Sequence, residues 1–261
     1  MSQTLQLKPP TISGVREIPP VRRPIFVSDI HLTGKKWRTV LAFLRFLKTT
    51  ALQYDELFLV GDIFEYWIGD DAAAPAKPFV KAVKAYVDKG HRVYIMQGNR
   101  DVMLGEDFAA SCGATLLATP AVIDVNGTRV LLSHGDEWCT LDEDYQQFRA
   151  MLRDLDFQKK ALAMTVPERI EWAKNARSQS TAGKTEKTRA MMDVVDAAVE
   201  SDCARYGCRY VIHGHTHRPA THKHGSIVRT VIPDWEIDGV VYPKKGWVTF
   251  NSQNEPVVVM A

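Results

Sequence analysis

The sequence predicts an α/β fold: a four-layer α/β/β/α sandwich interrupted by a helical insertion. Three observations predict it. Short apolar, β-branched runs alternate with amphipathic helical stretches from Ile25 to residue 111, as in parallel strands joined by helices. Two apolar runs between Ala121 and Ser133 meet at Asn126-Gly127, a hairpin signal. A mostly helical stretch over 142–206 then breaks the rhythm before strands resume at Val211.

Residues 1–24 hold five prolines (Pro9, Pro10, Pro19, Pro20 and Pro24) and read as an extended, mobile arm. The remainder, 25–261, reads as one domain. Ile25-Phe26-Val27 is a short buried strand. Val40, Leu41, Phe43, Leu44 and Leu47 recur at helical spacing, which predicts a helix over 36–50. Leu57 to Val60 is the next strand, and 78–89 the next helix, stopped by Gly90. Val93 to Met96 is a third strand, followed by a helix over 105–111. Beyond the hairpin and the insertion, Val211-Ile212 is a strand, and 226–260 reads as several antiparallel strands with a turn near Asn254.

Composition narrows the function. A chain of 261 residues buries a sizeable core, and 45% apolar with 25% charged residues is ordinary for a soluble protein. A net charge of +2 makes no case for nucleic acid. Residues 1–20 lack the apolar core of a secretory leader, and no run of 18 apolar residues exists, so neither export nor a membrane span is expected. Cys112, Cys139, Cys203 and Cys208 form no CxxC pair, which suits a reducing cytosol and buried or idle thiols.

The most informative stretch is His213-Gly214-His215-Thr216-His217, several imidazoles crowded around a glycine. Four upstream fragments join it: Asp29-Ile30-His31, Gly61-Asp62, Gly98-Asn99-Arg100-Asp101 and Ser133-His134-Gly135-Asp136. Each places an oxygen or nitrogen donor just after an apolar run, where a strand ends. A lone Asp there is ordinarily a turn or cap residue, and a lone His ordinarily a hydrogen-bonded one. Five recurrences together predict one metal centre, with Asp29, His31, Asp62, Asn99, His134, His215 and His217 as ligands. His213 is set apart, as facing the other side of the turn, and His91, His222 and His224 read as surface residues.

That N/O donor set suits Mn²⁺, Fe²⁺ or Zn²⁺. Seven side chains exceed one site and suit two ions sharing a carboxylate, the arrangement that clamps attacking and leaving oxygens in phosphate-cleaving enzymes. Asp62 is the expected bridge, with Gly61 allowing close backbone approach. Water acidified by the ions would attack phosphorus in line. Arg100, next to Asn99, can grip the same phosphate bidentately, unless it pairs with Asp101 or Asp136 instead.

The insertion carries ten basic residues over 145–190 against five acidic ones, beside an apolar stripe of Phe148, Met151, Leu152, Leu155 and Leu162. Such a helix faces a membrane or an anionic amphiphile. The plainer alternative is a helical hairpin packing its stripe on the core with a solvated basic face.

The ordered blocks D-x-H, G-D, G-N-x-D, H and G-H-x-H from Asp29 to His217 resemble those of the calcineurin-like metallophosphoesterases. Many members carry histidine where this chain has Arg100, which argues against a generic phosphoprotein phosphatase. Asp62 to Asp71 (DIFEYWIGDD), Gly-Asn-Arg-Asp and His-Gly-His-Thr-His-Arg-Pro are similar instead to one branch, over roughly residues 25–250. That branch cleaves the pyrophosphate of UDP-2,3-diacylglucosamine in the lipid A synthesis of Gram-negative bacteria. The resemblance implies two divalent ions, Mn²⁺, with Asp29, His31, Asp62 and His217 on one and Asp62, Asn99, His134 and His215 on the other. It implies catalytic roles for Asn99, Arg100 and His215. It makes the insertion a lid over an acylated UDP-sugar, contacted by Asn99, Arg100, His215, Asp142, Ser180, Lys184 and Lys187. It further implies a cytoplasmic protein in peripheral contact with the inner membrane, and it implies no protein partner. Another phosphodiesterase or nucleotide hydrolase on the same scaffold is the alternative. A non-catalytic binding module would have lost ligands, and none is lost here.

Overall fold

A computed structural model describes residues 18–184 and 191–261, and of residues 179–184 the backbone alone. In chain order the strands are β1 (Pro24–Val27), β2 (Glu56–Val60), β3 (Arg92–Met96), β4 (Thr115–Leu117), β5 (Ala121–Val125), β6 (Thr128–Ser133), β7 (Tyr210–His213), β8 (Thr221–His224), β9 (Ile227–Val231), β10 (Gly246–Phe250) and β11 (Pro256–Met260). The helices are α1 (Trp37–Lys48), α2 (Lys77–Val87), α3 (Glu106–Ser111), α4 (Glu143–Arg153), α5 (Leu155–Ala163), α6 (Val166–Lys184) and α7 (Asp196–Tyr206).

The strands form two sheets, ordered β11-β10-β1-β2-β3-β4 and β5-β6-β7-β9-β8. β1 to β4 run parallel, while β10 and β11 add antiparallel strands at one edge. In the second sheet β6, β7 and β9 are parallel, flanked by antiparallel β5 and β8. The sheets pack face to face. Phe26, Phe58 and Tyr94 stack at ring separations of 4.9 and 4.8 Å and meet Val130, Leu132 and Ile212 from the other sheet. Outside, α1, α2 and α3 bring Phe43, Phe79 and Phe108 onto the first sheet, and α7 brings Val199 and Cys203 onto the second. The four-layer expectation therefore holds. β1 and β2 are covered on both faces, which is why they read as unbroken apolar runs.

Several expectations need correction. The arm is docked before residue 24: Val21 is buried and bridges Val125, and the Arg22 and Arg23 N–H groups donate to Glu56. Most of the expected arm lies outside the described residues. β4 went unread because three residues carry no periodicity. β9 pairs parallel to β7 as well as antiparallel to β8, so 226–260 is not uniformly antiparallel. All four cysteines are buried, and burial pushes the Cys112 thiol up to about 12.

The insertion is helical as expected. Asp142 caps α4 by accepting from Tyr145 N at 3.1 Å, and Asp154 caps α5 from Phe157 N at 2.8 Å. Several of its arginines turn inward, while Lys159, Lys160 and Lys174 are exposed. Arg149 meets Asp136 at 2.8 Å, Arg169 meets Asp71 at 2.8 Å and the Ile68 carbonyl at 2.5 Å, and Arg177 meets Glu65 at 2.6 Å. The solvated basic face of the plainer alternative is therefore present only in part. The apolar stripe splits too: Leu152 is buried, whereas Met151 and Leu155 are exposed.

Candidate metal centre

All seven expected ligands sit in loops following the carboxyl ends of strands. Asp29 and His31 follow β1, Asp62 follows β2, Asn99 follows β3, His134 follows β6, and His215 and His217 follow β7. The two sheets supply three or four ligands each and meet at this end, so the loops converge. Their backbones are unusual. Asp29 (φ 52°), His31 (50°), Asp62 (52°), His215 (67°) and His217 (56°) all adopt left-handed conformations without being glycine. Each such residue costs of order 1–2 kcal/mol, a concentration of strain found at functional sites.

The donor atoms close on one another. Those of Asp29, His31 and His217 lie within 4.8 Å of each other, as do those of Asp29, Asp62 and His134. Asp62 turns one oxygen to each side: Oδ2 is 4.0 Å from His31 Nδ1, and Oδ1 is 3.5 Å from His134 Nε2. Asn99 Oδ1 lies 3.1 Å from His134 Nε2 and 3.0 Å from His215 Nδ1. Two glycines make the approach possible. A Cβ at Gly98 would overlap the Asp62 carboxylate, and one at Gly214 would overlap Ser28 Oγ and Asp29 Oδ2.

This cage fits cations. Asp29 and Asp62 are buried among imidazoles, with one guanidinium, that of Arg100, near Asp62. Burial, opposed by His134 and reinforced by Asp101 and Asp29, pushes Asp62 up to about 7. Against the penalty of burial, the Asp62 and Asp29 carboxylates raise His134 to about 9. Asp29 likewise overcomes burial to raise His217 to about 10, and is itself held well below the usual carboxylate range by His217, His134 and His31. Burial lowers His31 and His215 to about 3. His31 Nδ1 is buried, faces the cage and has no hydrogen-bond partner. Donors so arranged are N and O only, matching Mn²⁺, Fe²⁺ or Zn²⁺.

Arg100 adjoins the cage. Its backbone N–H donates to Asp62 Oδ1 at 2.8 Å, while its guanidinium lies 3.8 Å from Asp62 and 3.9 Å from Glu65 rather than on Asp101 or Asp136. Asp142 lines the same opening while capping α4. The side chains of Ser180, Lys184 and Lys187 lie outside the described residues. His213 is buried away from the cage, beneath Trp138 and within 3.2 Å of Arg229. His91 is not the partnerless surface residue expected, since it stacks on Tyr86 and bonds the Tyr54 carbonyl.

Two supporting carboxylates escaped the sequence reading. Asp101 accepts from the backbone N–H groups of Asp62, Ile63, Phe64 and Gly98. Asp234 lies 3.3 Å from His217 Nδ1. The Asp101 signal was present, as the last letter of the Gly-Asn-Arg-Asp block. Asp234 carries none, because it lies in a loop far from every motif.

The cage opens into a solvent-open cleft lined by His31, Asp62, Asn99, Arg100, Asp142 and His215. A second, solvent-open pocket continues beneath the insertion, lined mostly by apolar side chains including Trp67, Leu152, Phe157 and Trp172. The two share Asn99, Arg100, Tyr145, Phe148 and Ala176.

Comparison with known proteins agrees with this geometry. The family model of the calcineurin-like phosphoesterases matches residues 23–219. The UDP-2,3-diacylglucosamine hydrolase of Chromohalobacter salexigens is 42% identical over 228 residues, covering 85% of this chain and 90% of that one. Its namesake from Bordetella parapertussis is 40% identical over 231 residues, covering 86% and 90%. That from Stenotrophomonas maltophilia is 42% identical over 229 residues, covering 83% and 92%. With the ligand blocks inside the matched span and such relatives aligned along most of its length, the chain belongs to the calcineurin-like phosphoesterase family.

Proposed function

We propose that the chain hydrolyses the pyrophosphate of UDP-2,3-diacylglucosamine, giving UMP and 2,3-diacylglucosamine 1-phosphate in lipid A synthesis. The observation that carries this reading is the junction of the ligand cage with an apolar cavity through Asn99 and Arg100. A diphosphate with two acyl chains needs both compartments side by side. The names of the relatives point to the same substrate.

Asp29, His31, Asp62 and His217 would hold one divalent ion, and Asp62, Asn99, His134 and His215 the other, with Mn²⁺ the expected metal. Bound there, the ions neutralise phosphoryl oxygens and acidify a water. The Arg100 guanidinium and the Asn99 amide orient the α-phosphoryl group, and the His215 ring sits beside them. Water adds to the α-phosphorus, the bond to the bridging oxygen breaks, and the acylated sugar leaves with its phosphate. Tyr145 and Phe148 stand where the polar compartment gives way to the apolar one. The acyl chains would lie along Leu152, Phe157 and Trp172, while Leu155 faces solvent and takes no part. Asp142, Ser180, Lys184 and Lys187 would contact the head group. No described helix is long and apolar enough to cross a membrane. Access to a lipid substrate would therefore come through peripheral contact with the cytoplasmic face of the inner membrane.

The test is UMP release from the acylated UDP-sugar, with Mn²⁺ present or chelated, for the parent chain and Asp62→Ala. Turnover should require the metal, fall at least a hundredfold in the variant, and be absent for a plain UDP-sugar. Equal turnover of acylated and plain UDP-sugars would replace this reading with a general nucleotide hydrolase.

A further inference from the structure

The imidazoles of the cage are held in different ways. His134 is fully buried, and its Nδ1 lies 3.1 Å from the Val60 carbonyl, so packing and a backbone acceptor fix the ring. Nδ1 of His31 and of His215 both face the cage, toward Asp62 and Asn99. His217 differs. Its side chain is 39% exposed, and its backbone is left-handed at φ 56°. Its Nε2 lies 3.2 Å from Asp29 Oδ1, and its other nitrogen lies 3.3 Å from Asp234 Oδ2.

Asp234 is itself anchored. It is 3% exposed, and Lys244 Nζ lies 2.9 Å from its second oxygen. Lys244 is set in place by two backbone hydrogen bonds of 2.9 Å between Glu236 and Lys244. The following residue, Trp235, donates its backbone N–H to the Asp29 carbonyl at 3.1 Å. The crossover from β9 to β10 therefore grips two ligands at once, Asp29 through its backbone and His217 through its ring.

We propose that Asp234 is a positioning residue of the metal centre: its carboxylate holds the exposed His217 ring with Nδ1 as donor and Nε2 turned to the cage, and Lys244 holds the carboxylate. Metal-binding histidines commonly depend on such an outer carboxylate for orientation and basicity. The inference rests on reading the cage as a metal centre.

Calorimetric titration of metal-stripped protein with Mn²⁺ tests it. Asp234→Ala should weaken binding of the affected ion about 10- to 100-fold, the range typical of outer-shell partners. Asp234→Asn keeps an acceptor oxygen and should restore most of that loss. Lys244→Met, which leaves the cage untouched, should weaken binding by more than twofold but less than Asp234→Ala does, and serves if the alanine variant fails to fold. Variants that bind Mn²⁺ within twofold of the parent would overturn the positioning role, even if they melt earlier. A parent chain that binds no Mn²⁺ would overturn the metal-centre reading itself.

Discussion

Asp101 is fully buried and is not an expected ligand, yet its carboxylate accepts from four backbone N–H groups around the Asp62 turn. Those contacts hold Asp62 in its left-handed backbone and keep Gly98 against it. Asp101→Asn would turn an NH₂ group toward two of these donors, at about 1–3 kcal/mol for each buried donor left unpaired. Expected outcomes are a lower melting temperature and substoichiometric metal by elemental analysis, whereas an unchanged metal content would exclude the role. At this scale the side chains of the cage were legible because each donor follows an apolar run beside a glycine or a second donor. Asp101 was visible as a letter of a motif but not as a support, since nothing in a sequence says which backbone groups a carboxylate will meet. Asp234 was invisible for the same reason, compounded by distance along the chain.

Among the elements, the insertion is where sequence and structure part most. Its helical character was plain from spacing and composition. Its ten basic residues suggested a charged outer face, but Arg149, Arg153, Arg169 and Arg177 reach acidic groups of the body instead. Arg169 is 5% exposed and ties α6 to the Trp67 segment by a forked contact with Asp71. Arg169→Ala should loosen the insertion while leaving the cage intact. Hydrogen exchange in α5 and α6 should accelerate and KM for the acylated substrate should rise several-fold, at unchanged metal content. Arg169→Lys should not restore either, because an ammonium cannot reproduce the fork. The apolar stripe taught the same lesson, as helical periodicity placed Leu152 and Leu155 together whereas the break at Asp154 turns them apart. Strand pairing was hardest to read, since the parallel contact of β9 with β7 joins segments by long-range hydrogen bonds that no local pattern encodes.

For the whole molecule, the decisive fact is that the cage draws its side chains from both sheets. Cations bound there would link the two halves of the sandwich. Free Mn²⁺ at a hundredfold excess over its dissociation constant should stabilise the fold by about 2.7 kcal/mol for one site, read as a melting temperature that falls on chelation and recovers on adding metal. An unchanged melting temperature would exclude linkage through the cage.

The same shared origin has a kinetic corollary. Asp29 and His217 meet only after nearly two hundred residues have found their places. A cation bound there would therefore act as a clasp on a finished object and not as a seed for it. Refolding should run equally fast with or without the ion while escape from the native state slows, and a chain made under metal starvation would still reach its shape and wait to be charged.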